Sequence, residues 1–126
     1  MSYTNVLQMG NKHQEMLNNI DFYKQEIDFM KGLLSEVVAK NTSMEVRSAA
    51  DHFENQFAIQ HHNLDESRKR VQQNRHLASV EAQEHAGKIK NELLTDELEI
   101  EKEVNGIEKV ITDLRAEFKS FLVKWM

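Results

Sequence analysis

The spacing of apolar residues constrains the fold of this chain more than any other feature. In the first third of the sequence they recur at alternating steps of four and three residues, at Met16, Ile20, Tyr23, Ile27, Met30, Leu34 and Val37. Such a repeat puts the apolar side chains on one seam of an α-helix that packs lengthwise against other helices. Continued backwards, the register reaches His13, Met9 and Val6. A helix is therefore predicted from about residue 4.

The last third of the chain repeats this pattern. Its seam consists of Ile100, Val104, Ile107, Ile111, Leu114, Phe118, Phe121 and Trp125. The dipeptide Asn105-Gly106 is typical of a turn. Because the seam passes through it without a change of phase, we predict one continuous helix.

The middle third keeps the register but has a poorer seam. Apolar residues occupy it at Val46, Ala50, Phe53, Phe57, Leu64, Val71 and Ala78, and polar residues at Gln60, Ser67, Asn74 and Glu81. Polar residues on a seam usually lower stability and fix the register of packing. This segment is predicted to be a helix that contributes few apolar side chains to the core.

Two boundaries divide the chain into segments of similar length. Thr42 and Glu45 have the spacing of a capping box, with Thr42 as the N-cap, and Gly87 is the best candidate for a C-cap. The predicted helices span about 4–40, 43–85 and 88–125. The fold class is therefore all-α, a long antiparallel up-down-up three-helix bundle with coiled-coil-like heptad seams, forming one domain over residues 1–126. A four-helix bundle, with an extra turn at 72–74, is the alternative.

Charge placement supports a turn near Gly87. A reversal there pairs residues of the second and third helices whose numbers add to about 172. The basic residues Arg68, Lys69, Arg70 and Arg75 would then face the acidic residues Glu97, Glu99, Glu101 and Glu103. The same register pairs Leu64 with Ile107, Phe57 with Leu114 and Phe53 with Phe118.

Composition excludes several functions. The chain has no cysteine, so disulfides, thiolate metal sites and cysteine nucleophiles are absent. Its formal net charge of -5 argues against nucleic-acid binding, which needs a basic face. There is no phosphate-binding loop, no Gly-x-Ser-x-Gly motif, and no proline-rich or glycine-rich loop on which an active site could be built. We predict that the protein is not an enzyme.

Histidines and carboxylates are the remaining candidates for chemistry. His61 with Asp65, and His62 with Glu66, are four residues apart, a spacing that can present two ligands to a metal. No facing helix offers the complementary spacing, so we predict solvated pairs and no metal or cofactor. A metal- or cofactor-binding bundle is an alternative. His13 differs because it lies on the seam, where we expect it to bond the polar seam of the second helix.

A rod without loops is predicted to act through its helix surfaces, as an interaction or structural protein. Because the second helix has few apolar residues on its seam, we expect it to cover only part of the apolar faces of the first and third helices. The apolar surface left exposed is expected to drive self-association as a homodimer, or binding to another protein. The residues expected to do this are Met9, Met16, Leu93, Leu94 and Leu98. Further apolar residues off the seam of helix one widen its apolar face, at Leu17, Phe22, Phe29, Leu33 and Val38.

Membrane association is the less favoured alternative. The amphipathic, aromatic residues 118–126 resemble a surface anchor in pattern, but their aromatic residues continue the seam. No signal peptide begins the sequence and no apolar run approaches the length of a membrane span. The expected location is cytoplasmic.

Overall fold

Three long helices account for the architecture. In a computed structural model, α1 spans Tyr3–Lys40, α2 spans Met44–Glu84 and α3 spans Asn91–Trp125. The structure describes residues 3–85 and 89–126, with side chains from Leu7 onward. The predicted all-α three-helix bundle is confirmed. The four-helix alternative is wrong, because α2 continues as one helix through residues 72–76.

The helices run up, down and up, so α1 and α3 are parallel neighbours. Two ion pairs between them show their register: Lys12 with Glu101 at 3.1 Å and Glu26 with Arg115 at 2.6 Å. In both pairs the α3 residue number exceeds the α1 residue number by 89. The predicted C-cap Gly87 lies outside the described residues. Because α2 ends at Glu84 and α3 begins at Asn91, the chain nevertheless reverses in the expected region.

The start of α2 differs from the predicted capping box. Ser43, not Thr42, is the N-cap, and its Oγ accepts a hydrogen bond from the backbone N–H of Val46 at 3.2 Å. Since the helix begins one residue later than predicted, Glu45 is too close to the cap to reach back to it. The Glu45 carboxylate instead pairs with Lys124 Nζ at 2.8 Å.

The seams meet in a core with two unequal parts. The larger part runs from Met16 and Val71 to the aromatic end, where rings from α2 and α3 interlock. Phe53 and Phe118, predicted to be neighbours, have ring centroids 5.1 Å apart in an edge-to-face arrangement. The smaller part, at the other end, contains Met9, Ala78, Ile89 and Leu93. Three buried polar side chains, His13, Asn74 and Glu97, lie between the two parts.

The predicted charge matching between α2 and α3 is only partly right. Arg70 pairs with Glu103 of α3, as expected. Arg68 instead pairs with Asp21 of α1 at 3.0 Å, and Arg75 donates to Gln14 of α1 at 3.4 Å. Arg68 and Arg75 are one heptad apart, so both lie on the side of α2 that faces α1. The pairing predicted between residues of α2 and α3 therefore does not hold for these two arginines.

Candidate functional site

Each helix contributes one polar side chain to a buried layer. His13 of α1 is 1% exposed, Asn74 of α2 is 4% exposed and Glu97 of α3 is 7% exposed. All three occupy seam positions, so the heptad register directs them inward. We call these three residues the polar layer. It is the main polar feature of the described interior, because most other buried side chains are apolar.

Hydrogen bonds fix the orientation of the polar layer. Asn74 Nδ2 donates to the backbone carbonyl of Leu93 at 3.2 Å, so Asn74 Oδ1 faces the imidazole. His13 Nε2 lies 2.7 Å from this oxygen and therefore carries a hydrogen that it donates. Glu97 Oε2 lies 3.3 Å from the same nitrogen. The expectation that His13 would bond the polar seam of α2 is confirmed.

Burial governs the protonation of the polar layer. It lowers the pKa of His13; the hydrogen bond that His13 donates to Asn74 opposes this shift, and the charge of Arg75 adds to it. The pKa of Glu97 is raised to about 7, mainly by burial and to a smaller extent by the charge of Glu101, while the charge of Lys12 acts in the opposite direction. Glu97 Oε2 has no hydrogen-bond partner among the described residues. With a pKa of about 7, Glu97 can take up or release a proton near neutral pH.

The candidate metal ligands on α2 lie at the surface. His61 Nδ1 is 3.3 Å from Asp65 Oδ2, so this predicted pair forms, and Lys24 of α1 pairs with the same aspartate. A lysine ammonium beside Asp65 supplies the positive charge that a metal ion would otherwise bring. His62 is exposed, and Glu66 pairs with Lys69 at 3.3 Å rather than with His62.

Sequence reasoning missed a second group of possible ligands at the end of α2. Ligand atoms of Glu81, Glu84 and His85 lie within 4.8 Å of one another. The signal was present, since these positions have the i, i+3, i+4 spacing that shares one helix face. Glu84 and His85 are exposed, and Glu81 also faces Lys90 Nζ at 3.9 Å. An exposed group of this kind is typical of a solvated helix end.

The residues predicted to drive self-association are not equally available. Met9, Met16 and Leu93 are buried between the helices of a single chain, so the expectation that they would be half-covered is wrong. Met9 and Leu93 pack with Ala78 and Ile89, and Met16 packs in the larger core. Asn74 can enter the interior beside them because it bonds both His13 and the carbonyl of Leu93. Leu94 is half-buried against the smaller core, and Leu98 is 64% exposed.

The additional apolar residues of α1 divide into two groups. Leu17 is buried, and Leu33 and Val38 are half-buried against the core. Phe22 and Phe29 instead point outward, with 57% and 67% of their surface exposed. The heptad register accounts for the division, because the first three residues occupy the heptad positions that border the seam, whereas Phe22 and Phe29 share an outward position. All five were named from the sequence without the use of this signal.

The aromatic C-terminus belongs to the bundle. Phe118 and Phe121 are buried and Trp125 packs half-buried against the core, so these rings are not free to enter a membrane surface. Within the described residues, none of the helices has a stretch that is long and apolar enough to cross a bilayer. Comparison with known protein families, with curated proteins and with solved structures found no match for this chain.

Proposed function

We propose that this protein is a non-enzymatic helical bundle that works by packing its helix surfaces against other protein chains. The observation that supports this most directly is the outward placement of large apolar side chains on a bundle whose own core is filled. Phe22, Phe29 and Leu98 are each more than half exposed. Apolar surface of this kind gains about 25 cal/mol per Å² when a partner covers it.

The first form of binding that we propose is self-association as a homodimer, with Leu98 and its neighbour Leu94 at the contact. Two-fold dimers are the commonest soluble assemblies, and an isologous contact needs only one apolar patch. We propose the cytoplasm as the compartment, since a cysteine-free chain does not depend on an oxidising environment.

Light scattering coupled to size-exclusion chromatography tests self-association at tens of micromolar protein. We expect about twice the chain mass of 14.7 kDa, and a return to one chain mass in Leu98→Lys. Val123→Lys is the matched control, because Val123 is also on α3 and is 87% exposed. A single-chain mass for the unmodified protein would reject the dimer, and affinity capture from native lysate would then identify other partners.

A further inference from the structure

The groove between α1 and α3 is the most open of the three between the helices. These two helices share fewer contacts with each other than either shares with α2. Glu26 bridges the groove to Arg115. On the surface of α1, Phe22 precedes Glu26 by four residues and Phe29 follows it by three, so both rings border this groove. We call this surface, with Leu33 of α1 at its base, the α1/α3 groove.

Most of the exposed residues on the outer face of α1 beside this groove are uncharged. Between Leu17 and Leu33 the exposed residues are Asn18, Phe22, Gln25, Asp28, Phe29 and Gly32. The single charged residue among them, Asp28, lies on the side of α1 that faces α2, where it is 3.8 Å from His61. These exposed positions extend over about 20 Å of α1 at 1.5 Å per residue. Three charged residues of the same stretch, Asp21, Lys24 and Glu26, are engaged in ion pairs with α2 or α3.

One end of the groove carries an excess of negative charge. Glu108 of α3 is half-buried there, and burial together with the charge of Glu15 raises its pKa. Neither carboxylate forms an ion pair with another of the described residues, whereas Glu101 and Arg115, one heptad before and after Glu108 on α3, both do so. The charge of Lys12 interacts with Glu15, but Lys12 itself pairs with Glu101. Two neighbouring carboxylates whose nearby lysine is shared with a third are suited to a cationic group from outside the chain.

We propose that the α1/α3 groove binds an amphipathic helix of another protein, with apolar residues one heptad apart against Phe22 and Phe29 and a Lys/Arg-rich end beside Glu15 and Glu108. This inference rests on the proposed function and names the partner class for a second surface. A fourth helix in the groove would continue the knobs-into-holes packing of the bundle.

A second copy of this chain is a poorer occupant of the same groove. An antiparallel two-fold pairing that stacks Phe22 on Phe29 brings Glu15 of each copy opposite Glu36 of the other, because the two pairs of residue numbers have the same total. A parallel pairing brings Glu15 opposite itself. Both arrangements place like charges together. A basic helix instead compensates these charges, and the net charge of -5 attracts it at long range.

Fluorescence anisotropy with two labelled peptides tests the proposal. Both peptides are amphipathic helices with the same leucine heptads. One carries four lysines at one end and the other carries four glutamates at those positions. We expect a dissociation constant on the order of micromolar for the lysine peptide, because a contact of one helix with one groove is at the small end of specific interfaces. The glutamate peptide should bind at least tenfold more weakly, and added salt should narrow the difference.

Two variants assign the effects to residues. Phe22→Ser/Phe29→Ser should weaken the lysine peptide at least tenfold, while the control Val123→Ser should change it less than twofold. Glu15→Gln/Glu108→Gln should remove the preference between the peptides. Circular dichroism confirms that each variant is folded, which we expect because Phe22 and Phe29 are exposed.

Equal binding of the two peptides, or unchanged binding after the double phenylalanine substitution, would overturn the proposal. It would also be overturned by a dimer that dissociates when Phe22 and Phe29 are replaced, since a second copy would then occupy the groove. Failure of this inference leaves the proposed function intact if Leu98→Lys still abolishes self-association.

Discussion

The aromatic end and the polar-layer end of the bundle are built on the same heptad register but are stabilised differently. At the aromatic end, Phe53, Phe57, Phe118 and Phe121 fill the space between α2 and α3 with rings 5.1–6.0 Å apart. At the other end, beyond the polar layer, the core consists of Met9, Ala78, Ile89 and Leu93. Apolar area therefore dominates the stability of one end, and hydrogen bonds set the geometry of the other.

This difference shows that the heptad register determines which residues are buried, whether their side chains are apolar or polar. A histidine, an asparagine and a glutamate are as deeply buried as the leucines because the register leaves them no other direction. Burial without full compensation costs free energy, and it shifts the pKa of an ionisable group. We expect the polar-layer end to respond to pH and the aromatic end to respond to changes in side-chain volume.

The largest effect is expected from a volume change at the aromatic end. Phe57→Ala should lower the free energy of unfolding by about 3–5 kcal/mol, the usual cost of removing a buried aromatic ring. Phe57 is 0% exposed, and its ring is 5.3 Å from that of Phe118. Denaturant unfolding measures the change. Phe29→Ala is the control, because that ring is 67% exposed, and it should change stability by less than about 0.5 kcal/mol.

The next largest effect concerns the pH dependence caused by Glu97. The pKa of this carboxyl rises from its ordinary 4.5 to about 7 in the folded chain. Between these values the folded chain holds a proton that the unfolded chain has released, so stability falls as pH rises from 4.5 to 7. The total loss is at most about 3–4 kcal/mol, at about 1.4 kcal/mol per pKa unit.

The comparison of interest is between the unmodified chain and Glu97→Gln, measured by unfolding at pH 5 and pH 8. The variant should lose this part of the pH dependence and should be the more stable protein at pH 8. Titration of His13 acts in the opposite sense, because its lowered pKa makes stability fall as pH drops below 6.5. Identical pH profiles for the two proteins would show that Glu97 is solvated, and the contrast between the two ends would then lose its electrostatic part.

An intermediate effect is expected from breaking the hydrogen bonds of the polar layer. Asn74→Ala leaves His13 Nε2 and the carbonyl of Leu93 without the partner each now has. An unpaired buried polar group costs about 1–3 kcal/mol, and the unfolding free energy should fall by roughly that amount. The double variant His13→Leu/Asn74→Leu should lose less than Asn74→Ala, since it removes the imidazole together with its acceptor and leaves only the carbonyl of Leu93 without the hydrogen bond from Asn74. A double variant less stable than the single one would contradict this.

The sequence predicted the fold better than it predicted the surfaces. Alternating steps of four and three residues were enough to identify three helices and their inward faces, because packing in a bundle follows directly from the heptad register. The partner of Arg68 was assigned wrongly, because a basic side chain of α2 can reach either neighbouring helix. The exposure of Phe22 and Phe29 was not predicted either, although the heptad register encodes it, because both residues occupy the same outward-facing heptad position of α1.

The polar layer illustrates the same limit at the candidate site. The seam position of His13 was enough to predict that it bonds to α2, and Asn74 was already on the polar seam. Glu97 was assigned instead to the charged surface facing Arg75, because its acidic side chain fitted the charge-matching rule. The heptad register predicts the observed position correctly, because Glu97 lies in the core with its Oε2 3.3 Å from His13 Nε2.

The smallest effect is expected from replacing a helical glycine with alanine at each end of the bundle. The two substitutions compare how much each end contributes to global stability. Gly106 lies inside α3 on the side of the larger core, and Gly10 lies in α1 beside the smaller core; at both, an added Cβ meets nothing within 4 Å. Alanine is favoured over glycine in a helix by about 0.8–1.0 kcal/mol, so Gly106→Ala should raise the free energy of unfolding by nearly that amount. If the polar-layer end opens before the rest of the bundle, ordering of α1 near residue 10 contributes less to global stability. Gly10→Ala should then gain less than half as much in denaturant unfolding, and equal gains would show that the two ends unfold as one unit.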